Sequence, residues 1–310
     1  MKAVQAQNVS IRYMVGDFKD IGFKEYIIKK LTGNYHAIEF WADKDISFSL
    51  EKGDMLGIIG TNGAGKSTLL KAVAGIMPPT TGKMKVRGKI AALLELSSGF
   101  DGDLSVKENT YLRGAMMGYT RKFMDEKYRE IIEFAELEEF QDRPFKQLSS
   151  GMKSRLGFSI ACLVEPDIII LDEVLSVGDG TFREKSSERM HKILNSGVTG
   201  LFVSHSIGQV RELCNKILWL DHGRQVLFSG DVEMCCDVYE EFLISRKLPE
   251  TEKDFKAMAA RHQEASAKKE AQKMKKKEKS IKRMLASDEG EKYLEDAIKV
   301  VERYAPERLN

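Results

Sequence analysis

No window of this 310-residue sequence approaches the roughly 18–20 consecutive apolar residues that a membrane-spanning helix needs. The N-terminus also lacks an apolar block: Met1 to Ser10 alternates like a strand, not a secretory signal. The expectation is a soluble chain that reaches any membrane through a partner. Cysteine is scarce. Cys162, Cys214, Cys235 and Cys236 have no paired metal spacing and are expected to be reduced cytosolic thiols. Excess charge is missing too. A net charge of +2 gives no field of one sign, so no nucleic-acid partner is expected. No segment repeats.

What is present is a chain 42% hydrophobic and 31% charged, enough for one sizeable core and an accessory region. Its most informative stretch is Gly60-Thr61-Asn62-Gly63-Ala64-Gly65-Lys66-Ser67-Thr68. The pattern G-x-x-x-x-G-K-[ST] follows an apolar strand, Met55 to Ile59, and opens a helix at about Lys66. Glycines let successive N–H groups and the helix N-terminus turn towards phosphate. Lys66 can then reach the β- and γ-phosphates, and the Ser67 hydroxyl can sit on Mg²⁺. Nucleotide binding is the inference, with one such unit per chain.

The rest of the chain supplies a frame for that loop. Strands are expected at Ala3–Tyr13, Ile46–Leu50, Met55–Ile59, Lys83–Val86, Gly88–Leu94, Ile168–Leu171, Thr199–Ser204 and Lys216–Asp221. Helical patterns fill Ser67–Ala74, Met124–Ala135, Lys153–Leu163, Thr181–Leu194 and Ile207–Leu213. Continuous apolar strands alternating with helices imply an α/β fold with a mainly parallel sheet covered on both faces.

Further chemistry falls in a definite order. Asp167 to Leu171 is apolar after its first residue and ends in Asp172 and Glu173. Such a strand delivers Asp172 beside a metal and Glu173 beside an attacking water. A second apolar strand ends at Ser204-His205, from which His205 can hydrogen-bond a γ-phosphate. Upstream, Leu148-Ser149-Ser150-Gly151-Met152 precedes a helix containing Arg155, and small residues at a helix N-terminus make a second anion site. With a single phosphate loop per chain, that second site needs a nucleotide from elsewhere.

Together these motifs resemble, over roughly residues 1–240, the ATP-binding subunit of an ABC transporter. The resemblance implies a P-loop ATPase fold with an antiparallel β subdomain and a helical subdomain at about 97–163. It also implies a head-to-tail homodimer in which Ser149, Ser150 and Gly151 close over the ATP of the other subunit. Catalysis would fall to Glu173, His205 and Lys66, and Mg²⁺ to Ser67, Asp172 and the position of Glu95. Val177-Gly-Asp179 takes the place of the loop that communicates across the dimer. The family usually has Gln where Glu95 stands and LSGGQ where this chain has Leu148–Met152. Tyr13 matches the aromatic that stacks on adenine, with Phe40 and Trp41 as rivals.

Phe40-Trp-Ala, Leu94–Phe100, Ser149–Met152 and Glu173–Asp179 further resemble the ATPases of teichoic-acid and polysaccharide exporters. That likeness implies ATP-driven export of a lipid-linked polymer through two copies of an integral-membrane permease, from the cytoplasmic face. The alternatives are a different ABC exporter or importer, or a soluble ABC ATPase. The expected domains are residues 1–245, with an amphipathic helix at about 18–35, and a charged helical extension at 246–310. Phe23, Tyr26, Ile27 and Leu31 fall at helical spacing, facing either a membrane or the domain itself. Lys268 to Arg283 carries nine basic residues against Glu270 and Glu278, which suits a solvated arm or a contact with anionic lipid. Beyond it, Tyr293 to Val301 shows a stripe for a short terminal helix.

Overall fold

The computed structural model describes residues 1–15, 38–93, 99–172, 180–204 and 206–285. It separates into two compact units, Met1–Val232 and Glu233–Asn310.

In the first unit the strands are β1 (Lys2–Val15), β2 (Ile38–Glu51), β3 (Met55–Ile59), β4 (Thr81–Val86), β5 (Ile90–Ala92), β6 (Ile168–Asp172), β7 (Thr199–Val203), β8 (Lys216–Asp221) and β9 (Arg224–Ser229). They lie in one sheet in the order β4-β1-β2-β9-β8-β3-β7-β6-β5. From β8 to β5 every pairing is parallel, while β4-β1-β2 is an antiparallel sheet. The chemistry of the strands explains the division. β3 and β7 are buried at every residue and β6 and β8 nearly so, as parallel strands covered on both faces must be. β4, by contrast, carries Lys83 and Lys85 outward as an exposed edge.

Helices α1 (Lys66–Val73), α2 (Val106–Met116), α3 (Arg121–Ala135), α4 (Ser150–Leu163), α5 (Gly180–Asn195) and α6 (Ile207–Leu213) complete the unit. Leu69, Leu70 and Val73 of α1 are fully buried against β1, β2 and the parallel strands. Burying each such side chain contributes about 1.5–3 kcal/mol. A second apolar cluster joins α2, α3 and α4 through Val106, Met124, Ile131, Leu156 and Ile160. α2 falls in the stretch expected as a helical subdomain but outside the helices expected from periodicity, although Ser105-Val-Lys-Glu108 is a capping-box sequence. The Glu108 N–H donates to Ser105 Oγ at 3.1 Å, and the Ser105 N–H to Glu108 Oε2 at 2.8 Å. The Ser105 N–H, together with the Ser105 hydroxyl donating to the same oxygen at 2.7 Å, holds the Glu108 carboxyl below its ordinary range.

Three expectations are corrected. β2 begins at Ile38, eight residues before Ile46, because Tyr13↔Phe40 and Arg12↔Trp41 extend its antiparallel ladder with β1. β9 was missed because its side chains are only half-buried and carry no strong alternation. The strand expected from Gly88 to Leu94 is only Ile90–Ala92, the part that pairs with β6.

Val232 opens α7 (Val232–Ser245), which continues into the second unit, where α8 (Glu252–Leu285) follows. Within that unit Gln263 Nε2 donates to Asp237 Oδ2 at 2.6 Å, and His262 Nε2 lies 3.3 Å from Glu240 Oε2. From Ala267 to Ser280 every residue of α8 is exposed. The inserted segment 18–35 and the stripe Tyr293–Val301 lie outside the described residues, and no described helix is long and apolar enough to cross a membrane.

Candidate functional site

β3 leaves the core at Ile59, and the chain turns through Gly60–Gly65 before α1 begins. A Cβ at Gly60 would collide with the Leu220 carbonyl, so only glycine lets the loop start flush against β8. Gly65 caps α1 in the left-handed region at φ 103°, and no side chain caps that helix. Its first-turn amides therefore remain available to an anion, which the helix dipole also favours. The turn itself is held by the Ala64 N–H donating to Thr61 O at 3.1 Å.

Lys66 folds its ammonium back over the loop, donating to the carbonyls of Gly60 at 2.7 Å and Thr61 at 3.0 Å. That contact aligns the charge with the loop it encloses. Asn62, Gly63, Ala64, Gly65, Lys66, Ser67 and Thr68 form one wall of a cleft of about 650 Å³. Gly60 and Thr61 contribute carbonyls to Lys66 and not surface to the cleft. Asp172 enters from the end of β6, in register with Val203 of the intervening β7. The site thus lies outside the carboxyl ends of the parallel strands, where open α/β sheets gather their ligands.

Tyr13 and Phe40, cross-strand neighbours on β1 and β2, also line the cleft. Trp41, the other rival, does not line the cleft; the Arg12 guanidinium lies 5.5 Å from its ring centroid. Arg12 also pairs with Glu39 at 2.6 Å, giving the aromatic end a charged rim.

Ser149 is the N-cap of α4, and its hydroxyl accepts from the Met152 N–H at 3.2 Å. Ser149, Ser150 and Gly151 are exposed and none lines the cleft. Arg155, one turn on, bonds Glu136 Oε2 at 2.6 Å and stacks over Phe182 at 4.8 Å, tying α4 to the end of α3 and to α5. Glu95, Glu173, Val177–Asp179 and His205 lie outside the described residues.

Sequence reasoning missed Asp43. Its carboxyl is wholly buried, and among the described residues neither oxygen has a hydrogen-bond partner. Burial pushes its pKa up to about 7. Little in the residue pattern marks it, because Phe40-Trp-Ala-Asp43 precedes Ile46, where the apolar alternation begins.

The family model described as ABC transporter matches residues 44–176. The chain is 42% identical over 240 residues to the teichoic acids export ATP-binding protein TagH of Bacillus anthracis, covering 77% of this chain and 43% of that protein. It is also 42% identical over 240 residues to the O-antigen export system ATP-binding protein RfbB of Klebsiella pneumoniae, covering 77% and 97%. It spans less than half the length of the Bacillus relatives it matches. Among solved structures, a dimeric ATP-binding cassette in a post-hydrolysis state with ADP and Pi aligns with a TM-score of 0.54 at 22% identity, over 73% of this chain and 98% of that one.

Proposed function

The chain belongs to the ABC transporter family, and from that premise we propose that it is the ATP-hydrolysing motor of an exporter for a lipid-linked polymer, teichoic acid or a related polysaccharide. The observation that carries the ATP reading is the single cleft that brings together the loop, Lys66, Ser67, Asp172 and two aromatic rings. The polymer reading rests on the names of the relatives.

In this reading Tyr13 stacks on adenine, with Phe40 beside it, and residues 60–68 cradle the phosphates. Ser67 and Asp172 present hard oxygen donors to one cleft, a set that suits Mg²⁺, with Glu95 as a third candidate. Bound Mg²⁺ supplies neutralisation of phosphate charge. Glu173 positions the attacking water and accepts its proton, while His205 and Lys66 steady charge on the transferring phosphoryl group. Two copies pair head to tail, so that Ser149, Ser150 and Gly151 of one close on the nucleotide of the other. The exposed N-terminus of α4 supports that assignment.

A membrane role needs a permease, in two copies, with this chain peripheral on the cytoplasmic face. A second cleft of about 530 Å³, lined by Ile76, Lys89, Arg113, Met116 and Met117, supports the stretch 103–122 as the gripping surface. Ile76 and Met116 are 65% and 63% exposed, large apolar side chains suited to a partner helix. Residues 1–245 serve as the motor and 246–310 as an extension.

The test of catalysis is Glu173→Gln. ATP binding is expected to be retained while hydrolysis falls by about 10²–10⁴, the usual contribution of a positioned base. Near-normal turnover removes Glu173 from that role. For the extension, deleting Lys268–Arg283 is expected to lower binding to anionic vesicles, with an effect that vanishes at about 1 M salt as screening shortens to about 3 Å. Binding that ignores salt assigns the helix to solvent instead.

A further inference from the structure

We propose that Asp43 is a positioning residue of the phosphate loop, its carboxyl taking up a proton as nucleotide phosphates bind. The inference rests on the nucleotide reading above and deepens it.

The geometry is particular. Asp43 sits on β2 opposite Ile11, wholly buried, and its Oδ1 lies directly against Gly65, where any Cβ would collide with it. Gly65 is the residue whose carbonyl starts α1 and whose left-handed turn aims the loop amides. A carboxylate here competes with phosphate for the positive end of the same helix. Once protonated, the group keeps its shape and loses its charge, and the loop then presents its amides to phosphate without an opposing anion. The proton comes from solvent and returns to it when the nucleotide leaves, so charge balances over a cycle.

Among the described residues no cation bonds the acid, and burial alone shifts it. On its own strand Lys44 and Asp45 are exposed, and across β1 Arg12 is engaged by Glu39. From the loop, Lys66 donates to the carbonyls of Gly60 and Thr61. From the turn between β8 and β9, Asp221 is paired with His222 at 2.9 Å, and Arg224 beyond it is exposed. Among the described residues neither oxygen of Asp43 accepts or donates a hydrogen bond. A buried polar group left so requires an explanation, and a proton exchanged with ligand binding is one that uses it.

The experiment is calorimetric titration of the full chain with MgADP between about pH 6 and pH 8.5, in buffers of different ionisation enthalpy. Like charges about 8 Å apart at an effective dielectric near 20 alter affinity about thirtyfold. The wild type is therefore expected to lose about ten- to thirtyfold more affinity across that range than Asp43→Asn or Asp43→Leu, and to absorb up to about one more proton per nucleotide near pH 8. His222→Gln is the control for the neighbouring imidazole and should leave the wild-type profile in place. Should the Asp43 variants not fold, infrared difference spectra of the wild type on adding nucleotide must show a protonated-carboxyl band gained. Equal pH slopes and equal proton counts, or no such band, overturn the inference while nucleotide binding stands. No nucleotide binding at any pH overturns both.

Discussion

Lys66→Ala is expected to weaken ATP binding by about a hundredfold and to lower kcat/KM by about 10⁴ or more. Charge-assisted hydrogen bonds contribute about 1.5–3 kcal/mol each, and the ammonium of Lys66 is the cationic side chain that the loop itself points along the cleft wall. Loss of binding follows from the removal of that charge. The further loss in turnover follows because charge on the transferring phosphoryl group grows towards the transition state, where a fixed cation counts for most. The fold should survive, since Lys66 is only part-buried and its ammonium donates to backbone carbonyls of the loop. Titration calorimetry and a phosphate-release assay check both parts. Unchanged affinity contradicts the cradle.

The second large effect is on stability. Asp43→Leu is expected to stabilise the protein by about 4 kcal/mol near pH 8.5, because the native carboxyl titrates at about 7 and an unfolded aspartate near 3.8. The sign follows from proton binding. Between those values the native state holds a proton that the unfolded state has released, so wild-type stability falls as pH rises through 7. Leucine removes both that slope and an unpartnered polar group. At about 2–4 °C per kcal/mol, the midpoint should rise by about 8–16 °C near pH 8.5 and by less than half of that near pH 5. Melting curves across pH check this. Parallel curves for wild type and variant show that the Asp43 carboxyl titrates alike in the folded and unfolded states, which removes the burial argument.

Taken together the two substitutions separate roles. One removes a group that the nucleotide needs. The other removes a group that the fold would be more stable without, which is the pattern expected where function keeps a costly residue.

Much of the site was legible because its chemistry is local in sequence. Met55–Ile59 and Lys216–Asp221 were read with their observed bounds, since a strand buried on both faces shows an unbroken apolar run with clear ends. Residues 60–68 were legible for a related reason: the turn's glycines, the lysine and the hydroxyl are contiguous, and their spacing is set by the loop's own geometry. Less was legible where burial depends on a distant strand. Phe40 and Ala42 gave no strand signal of their own; they belong to β2 because β1, a separate segment of sequence, offers it hydrogen bonds. α2 buries Asn109, Thr110 and Gly114 beside Val106 and so shows no apolar stripe, though its capping box could have marked its start.

The sequence by itself determined the loop, the order of the motifs and the parallel core, because each is fixed by neighbours a few residues away. Only the tertiary structure decided that Asp172, more than a hundred residues after Lys66, shares one cleft with it, and that Tyr13 and Phe40 rather than Trp41 flank that cleft. Only it placed the Asp43 carboxyl against Gly65. Those juxtapositions depend on strand order and register, which a buried sheet sets through hydrogen bonds between segments far apart in the chain.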